Sequence, residues 1–191
     1  MQKEIFSLVS VYNKKNLEKI CDSFKKYNIH IISTGSTAKY IKKIGYNCLE
    51  VSHFTKFEEI LDGRVKTLHP LIHASLLFDR KNKNHLKVFK KLNFPEINFV
   101  IVNLYPFEET IMTNPNKRKC IEMIDIGGQT LLRSAAKNFF SVTAISDIND
   151  YDVFVKYIKK YCGKTPLNFR KKMAAKVFKL TSSYDSLIFN W

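Results

Sequence analysis

Short apolar runs and amphipathic stretches succeed one another from the start of the chain. Ile5-Phe6-Ser7-Leu8-Val9 has the near-continuous apolar character of a strand buried on both faces. Leu17, Ile20, Cys21 and Phe24 then recur at helical spacing. Ile29-His30-Ile31-Ile32 predicts a second strand. Ser33-Thr34-Gly35-Ser36-Thr37 opens a helix carrying Ala38, Ile41 and Ile44, which Gly45 ends as a C-cap. Cys48-Leu49-Glu50-Val51 predicts a third strand. Strands alternating with helices in this way predict an α/β fold, a parallel sheet with right-handed crossovers flanked by helices.

The rhythm breaks over residues 52–70, a long polar segment of the kind that carries function in compact domains. Arg80-Lys81-Asn82-Lys83-Asn84-His85 reads as an exposed connection. Ile97-Asn98-Phe99-Val100-Ile101-Val102 is the strongest strand and is expected at the centre, with Ser141-Val142-Thr143-Ala144-Ile145 as a fifth. Tyr151, Val155 and Ile158, then Phe169, Ala174, Phe178 and Tyr184, mark C-terminal helices. The expected organisation is a single domain over 1–191, with an α/β core (1–147) and a helical extension (148–191).

Composition narrows the classes. The 191 residues are 45% hydrophobic and 13% aromatic, which supports a packed core and excludes a disordered chain. Met1-Gln2-Lys3-Glu4-Ile5 holds no apolar signal-peptide segment, and Phe99-Val100-Ile101-Val102 is far shorter than the ~20 residues of a membrane span. A soluble, cytoplasmic protein without a membrane partner is expected. Cys21, Cys48, Cys120 and Cys162 are scattered, which fits free thiols in a reducing compartment rather than a disulfide framework or zinc site. The net charge of +15 comes largely from lysines spread over predicted helix faces. Basic residues interleaved with aromatics, as in single-strand binders, are not evident, so no nucleic-acid partner is expected. The charge would still concentrate a phosphorylated metabolite.

Ligands of an open parallel sheet sit beyond the carboxyl ends of its strands. Four polar segments fall there: Ser10 to Lys14, Ser33 to Thr37, residues 52–70, and Asn103 to Phe107. Thr34, Gly35, Ser36 and Thr37 at a strand-to-helix turn suit an anion, helped by Lys14 from the neighbouring strand. The same residues also serve as an ordinary N-cap. Arg64 and Lys66 alternate with Val65, so an extended backbone would point both cations one way, towards a proton-transfer or carbonyl-polarising role. His69 and His73 are four apart without a carboxylate, and Pro70 marks a helix start, so no metal is expected. Asn103 and Tyr105 are donors suited to a developing oxyanion, or else a packed pair. Asp125 ahead of Gly127-Gly128 suits close approach to a planar ligand, or caps the next helix, where Arg133 and Lys137 share a face.

Arg64-Val65-Lys66-Thr67-Leu68-His69-Pro70, Asn103-Leu104-Tyr105-Pro106-Phe107, Ile124-Asp125-Ile126-Gly127-Gly128 and Arg133-Ser134-Ala135-Ala136-Lys137-Asn138 are specific in combination. The chain resembles the inosine monophosphate cyclohydrolase domain. That domain is the N-terminal half of a bifunctional purine-biosynthesis enzyme whose other half is an aminoimidazole-carboxamide ribotide formyltransferase. The resemblance runs from Ser10-Val11-Tyr12-Asn13-Lys14 to Thr181-Ser182-Ser183-Tyr184-Asp185, with the formyltransferase domain absent from the sequence.

The resemblance implies a methylglyoxal-synthase-like fold and the last step of purine synthesis. In that step, formylated aminoimidazole-carboxamide ribotide closes to inosine monophosphate with loss of water. It places Ser10, Tyr12, Asn13, Lys14, Thr34, Gly35, Ser36 and Thr37 at the substrate's phosphate end. Arg64, Val65, Lys66, Thr67, Val102, Asn103, Asp125 and Ile126 line the ribose and base. Lys137 is the implied proton donor and acceptor, with Lys66, Tyr105 and Asp125 as catalytic partners. The implied partners are a small-molecule nucleotide, a second copy in a homodimer, and a formyltransferase on the same or a separate chain. Asn13, Lys15, Asn16 and Ser36 depart from the family's usual residues around the phosphate, which bears on affinity. Ring closure is internal and needs neither redox chemistry nor an activated water, so no cofactor is expected. A methylglyoxal-synthase-type lyase and a non-catalytic nucleotide-binding module are the competing readings of the same fold.

Overall fold

The computed structural model describes residues 4–191; Met1, Gln2 and Lys3 of the leader reading lie outside the described residues. Five parallel strands form one sheet in the order β3-β2-β1-β4-β5. They are β1 (Ile5–Val11), β2 (Ile29–Ser33), β3 (Leu49–Glu50), β4 (Ile97–Asn103) and β5 (Thr143–Ile145). β1 and β4 are central. Leu8 pairs with Val100 on one side and Ile32 on the other, and all three are buried. The outermost strands contribute only two and three residues.

The apolar positions of β1 and β4 divide between two layers. One layer packs Val9, Val11 and Ile101 against α1 (Leu17–Lys26) and α9 (Tyr151–Lys160). The other packs Leu8, Val100 and Val102 against α4 (Pro70–Leu77) and α8 (Gly127–Lys137). The last helix, α10 (Leu167–Asn190), feeds both: Phe169 and Met173 enter the first layer, Ala174 and Val177 the second. Residues 148–191 therefore share the cores of the sheet.

Several expectations hold in detail. Leu17, Ile20, Cys21 and Phe24 form the buried face of α1. Gly45, at φ 87, follows α2 (Gly35–Lys43), and its N–H reaches the Lys42 carbonyl at 3.1 Å. Other expectations are corrected. The third strand stops at Glu50, because Val51 begins the short helix α3 (Val51–Thr55). Residues 52–70 are thus partly helical, and an antiparallel bridge joins Ile60 to Val65. The basic connection at 80–85 contains the start of α5 (Lys83–Leu92), where the Asn82 side chain accepts from the N–H groups of Asn84 and His85. Phe178 faces outward under the Arg133 guanidinium at 5.6 Å, while Val177 takes the buried position.

Strand order reverses between β1 and β4, since β1 runs on to β2 on one side and β4 to β5 on the other. A crevice forms at the carboxyl ends where such a reversal occurs. The polar segments beyond β1, β2 and β4 meet there.

Candidate functional site

A cleft of about 470 Å³ opens at this reversal. Its wall includes Ser10 and Tyr12 from the end of β1, Thr34, Ser36 and Thr37 from the β2–α2 turn, and Arg64, Lys66 and Thr67 from the long loop. Asn103 and Tyr105 come from the end of β4, and Asp125 and Ile126 from the segment before α8. A parallel sheet brings these segments, distant in sequence, to one edge.

The hydroxyls at the β2–α2 turn do not cap their own helix; Thr34 makes no side-chain cap bond. Instead the Ser10 and Thr34 hydroxyls lie 2.9 Å apart. Thr37 Oγ1 donates to the Val11 carbonyl at 3.0 Å and accepts from the Val11 N–H at 3.1 Å. The Thr37 hydroxyl therefore holds the turn against β1 and is spent. Gly35 and Ser36 begin α2, where helix geometry leaves N–H groups without an intrahelical acceptor.

Lys14 departs from its expected place. Its ammonium donates to the carbonyls of Tyr12 at 3.2 Å and Val11 at 3.5 Å, and it lines a neighbouring groove with Asn13. Asn103 is likewise committed: its amide pairs with both backbone groups of Asn13, which makes it a tie between loops more than an oxyanion donor. The Val102 side chain is buried among core residues facing α8, Val65 pairs through its backbone with Ile60, and neither residue belongs to the cleft's wall. Gly35 supplies only backbone.

Asp125 lines the cleft just ahead of α8. Its Oδ1 accepts from the Gly128 N–H at 2.6 Å, capping α8, and the Tyr105 N–H points at the same carboxylate. Capping and cleft lining thus coexist in one residue. Burial pushes the carboxyl above its ordinary range, and the two N–H donors and the Lys66 ammonium oppose that rise. Tyr105 stacks edge-on against Tyr12 at 5.6 Å, and burial, followed by the nearby Asp125 charge, raises its phenol's pKa.

The glycine pair has a packing cause. A Cβ on Gly127 would sit 2.7 Å from Thr67 Oγ1, and one on Gly128 would sit 2.5 Å from Asp125 Oδ2. Gly127 thus lets the loop bearing Lys66 approach the start of α8, and Gly128 leaves room for the Asp125 carboxylate to fold back onto that helix's first turn. Arg64 also reaches across, pairing through Nε and Nη2 with Glu122 at the end of α7 (Lys117–Glu122).

Lys137 is the main correction. It is the exposed last residue of α8, whereas the cleft meets that helix at Gly127 and Gly128. Ten residues at a helical rise separate Lys137 from Gly127, roughly 15 Å. The structure gathers Lys66, Tyr105 and Asp125 in one cleft and leaves Lys137 outside it. Sequence reasoning also missed Glu122 and Tyr184. The Tyr184 hydroxyl accepts from the Asp125 N–H at 3.0 Å and donates to the Met123 carbonyl at 2.8 Å. The polar stretch Thr181-Ser182-Ser183-Tyr184-Asp185 inside an apolar helix pattern was its available signal.

His69 Nδ1 accepts from the Leu71 N–H and caps α4, and His73 Nδ1 lies 3.1 Å from Ser134 Oγ. Among the described residues, no group of three or more His, Cys, Asp or Glu side chains is arranged for a metal. Likewise, no helix among them is long and apolar enough to cross a membrane.

Residues 16–130, which carry most of this cleft, match the MGS-like domain family. The chain belongs to that family. Residues 135–191 match a second family, the AICARFT/IMPCHase bienzyme. Similar proteins named bifunctional purine biosynthesis protein PurH occur in Clostridium botulinum, 46% identical over 97% of this chain, and in Fusobacterium nucleatum, 47% identical over 95%. The chain spans 37% and 36% of those relatives' lengths. A solved structure, titled the crystal structure of ForH, superposes with a TM-score of 0.87 at 25% identity, covering 96% of this chain and 94% of that one. The resemblance drawn from the motifs, to the cyclohydrolase part of a bifunctional purine-biosynthesis protein, agrees with both family matches. The MGS-like architecture accounts for the sheet and for a cleft at its carboxyl edge.

Proposed function

We propose that this MGS-like chain is an inosine monophosphate cyclohydrolase, closing the purine ring of 5-formamidoimidazole-4-carboxamide ribotide. The observation that carries the proposal is the meeting of Lys66, Tyr105 and Asp125 in one cleft that the start of α2 also lines. That helix start suits the phosphate: first-turn N–H groups of Gly35 and Ser36 beside the Ser10, Thr34 and Ser36 hydroxyls.

The carboxamide nitrogen attacks the formyl carbon of the same molecule and gives up a proton as the C–N bond forms. The formyl oxygen gathers negative charge, is protonated, and leaves as water when the formamide nitrogen loses its own proton. Fixing the two arms in the reactive rotamer supplies much of the rate, since nucleophile and electrophile are already joined. Lys66 stabilises the oxygen as charge develops on it, with the Tyr105 hydroxyl as a second donor. Asp125 accepts the nitrogen's proton. Its burial makes it a stronger base than a solvated carboxylate and suits that task. This division of labour assigns no step to Lys137 within the chain.

A formyltransferase, on the same polypeptide or a separate one, would supply the formylated substrate, as the relatives' printed description as bifunctional suggests. The test is ultraviolet absorbance of the purified chain with the formylated ribotide. Turnover to inosine monophosphate supports the reading. Conversion of dihydroxyacetone phosphate to methylglyoxal, or tight nucleotide binding without cyclisation, would replace it with one of the competing readings.

A further inference from the structure

We infer that Tyr184 of α10 is a positioning residue for the cleft: its hydroxyl fixes the backbone on which Asp125 is mounted. This rests on the cyclohydrolase reading for its catalytic consequence, but not for its geometry.

The hydroxyl makes two bonds of opposite sense to one short segment, accepting from the Asp125 N–H at 3.0 Å and donating to the Met123 carbonyl at 2.8 Å. Among the described residues, Tyr184 supplies the side-chain hydrogen bonds between that segment and α10, while Met123 and Ile124 add apolar packing in the cluster that holds Leu187 and Ile188. Only a neutral phenol can do both, because a phenolate cannot donate. Burial pushes the Tyr184 phenol up to about 12, so it stays neutral through the working range. Its ring is fixed in turn by Phe107, 6.2 Å away, in a small apolar cluster with Cys120.

The contact belongs to a seam. Thr181, Tyr184 and Asp185 share one face of α10 at helical spacing. They meet Arg133, the Asp125 segment and Gln129 respectively, at 3.4, 3.0 and 2.8 Å. Two of these contacts hold the body of α8. Tyr184 alone among the three holds the turn that precedes it. Asp125 must keep its carboxylate on the N–H groups of Gly128 and Tyr105 while facing Lys66. A backbone free to shift at Asp125 would loosen all three relations at once.

The titratable and charged groups facing Asp125 are Lys66 from the long loop, Tyr105 after β4, and Tyr184 itself. Without the tether, the carboxylate loses its hold on two N–H donors, and its proton affinity rises.

The experiment compares the full chain with Tyr184→Phe, which keeps the ring packing, and with Asp185→Ala, which cuts the neighbouring Gln129 contact. For Tyr184→Phe, amide exchange at Asp125 is expected to accelerate about tenfold or more. Its kcat should fall at least about tenfold with KM within about twofold, and the acidic limb of the rate profile should move to higher pH. Asp185→Ala should keep kcat and the pH profile whatever it does to melting temperature. Unchanged exchange at Asp125 together with unchanged kcat in Tyr184→Phe would overturn the inference, as would an equal kcat loss in Asp185→Ala. If the unaltered chain cyclises nothing, the ring-closure reading fails, and exchange at Asp125 still decides the tether.

Discussion

The Asn103 side chain pairs with both backbone groups of Asn13, accepting from its N–H and donating to its carbonyl, each at 2.9 Å across a sequence separation of 90. One side chain thereby ties the loop after β1 to the end of β4, the two strands that flank the reversal of the sheet. Asn103→Ala is expected to cost about 1–2 kcal/mol in urea denaturation, the net worth of two ordinary hydrogen bonds. It should also raise KM severalfold by releasing Tyr12, with a smaller effect on kcat. Asn103→Asp keeps the acceptor, loses the donor, and should fall between.

Replacing either glycine of the pair should be costly without unfolding the chain. A Cβ at Gly128 meets Asp125 Oδ2 at 2.5 Å, and one at Gly127 meets the buried Thr67 hydroxyl at 2.7 Å. Displacing a reacting group by about an ångström costs on the order of 100-fold in rate, and Gly128→Ala should show a kcat loss of that size. Gly127→Ala should instead move the loop bearing Lys66. Steady-state kinetics on chains of unchanged circular dichroism would distinguish these effects from misfolding.

Asp125→Asn separates chemistry from folding. The replacement amide oxygen still accepts from the Gly128 N–H, yet it cannot take a proton, so turnover should fall about 10²–10⁴-fold. Stability should move the other way. The folded carboxyl titrates above its ordinary value of 3.8, so between that value and the folded one the folded chain holds more protons than the unfolded chain. Stability from this group is therefore greatest at low pH and declines as pH rises through the window. The asparagine variant lacks that decline and should melt no lower than the parent at neutral pH.

Lys66→Ala should reduce kcat by about 100-fold or more, the scale of losing one preorganised donor at an oxyanion. Lys137→Ala, a helix length away, should stay within about threefold. A large loss for Lys137→Ala in the isolated chain would mean that the cleft takes a different proton path from the one proposed.

His73 gives a pH signature independent of catalysis. Burial lowers its pKa below the ordinary 6.5, opposed by a bond to the Thr67 backbone. The unfolded chain takes up the proton first, so its contribution is intact above pH 6.5 and is lost as pH falls from there towards the folded value. His73→Gln should flatten that slope in melting temperature measured from pH 7.5 to 5.

How much of this was legible in the sequence depended on whether local patterning decided the outcome. The faces of α1 and α2, the central place of Ile97–Asn103 and the convergence of polar segments on one rim all follow from periodicity and the geometry of parallel sheets. Residues 52–55 of α3 and the first turn of α5 read as loop because their windows are short or crowded with lysine, and tertiary packing completes the helices. Side-chain assignments failed where the decisive partner was remote. Motif order alone could not reveal that Asn103 is spent on Asn13 or Arg64 on Glu122. Nor could it show that the family's Lys137 lies beyond the cleft. Tyr184 escaped for the same reason, since its partners precede it by some sixty residues.

The outermost strands bear on how copies of this chain behave together. With only two and three paired residues at the sheet's margins, little unpaired backbone is presented for another molecule to extend. A net charge of +15 adds mutual repulsion at low ionic strength. Added salt would remove the repulsion but create no template, so precipitation under such conditions should be amorphous and reversible rather than fibrillar.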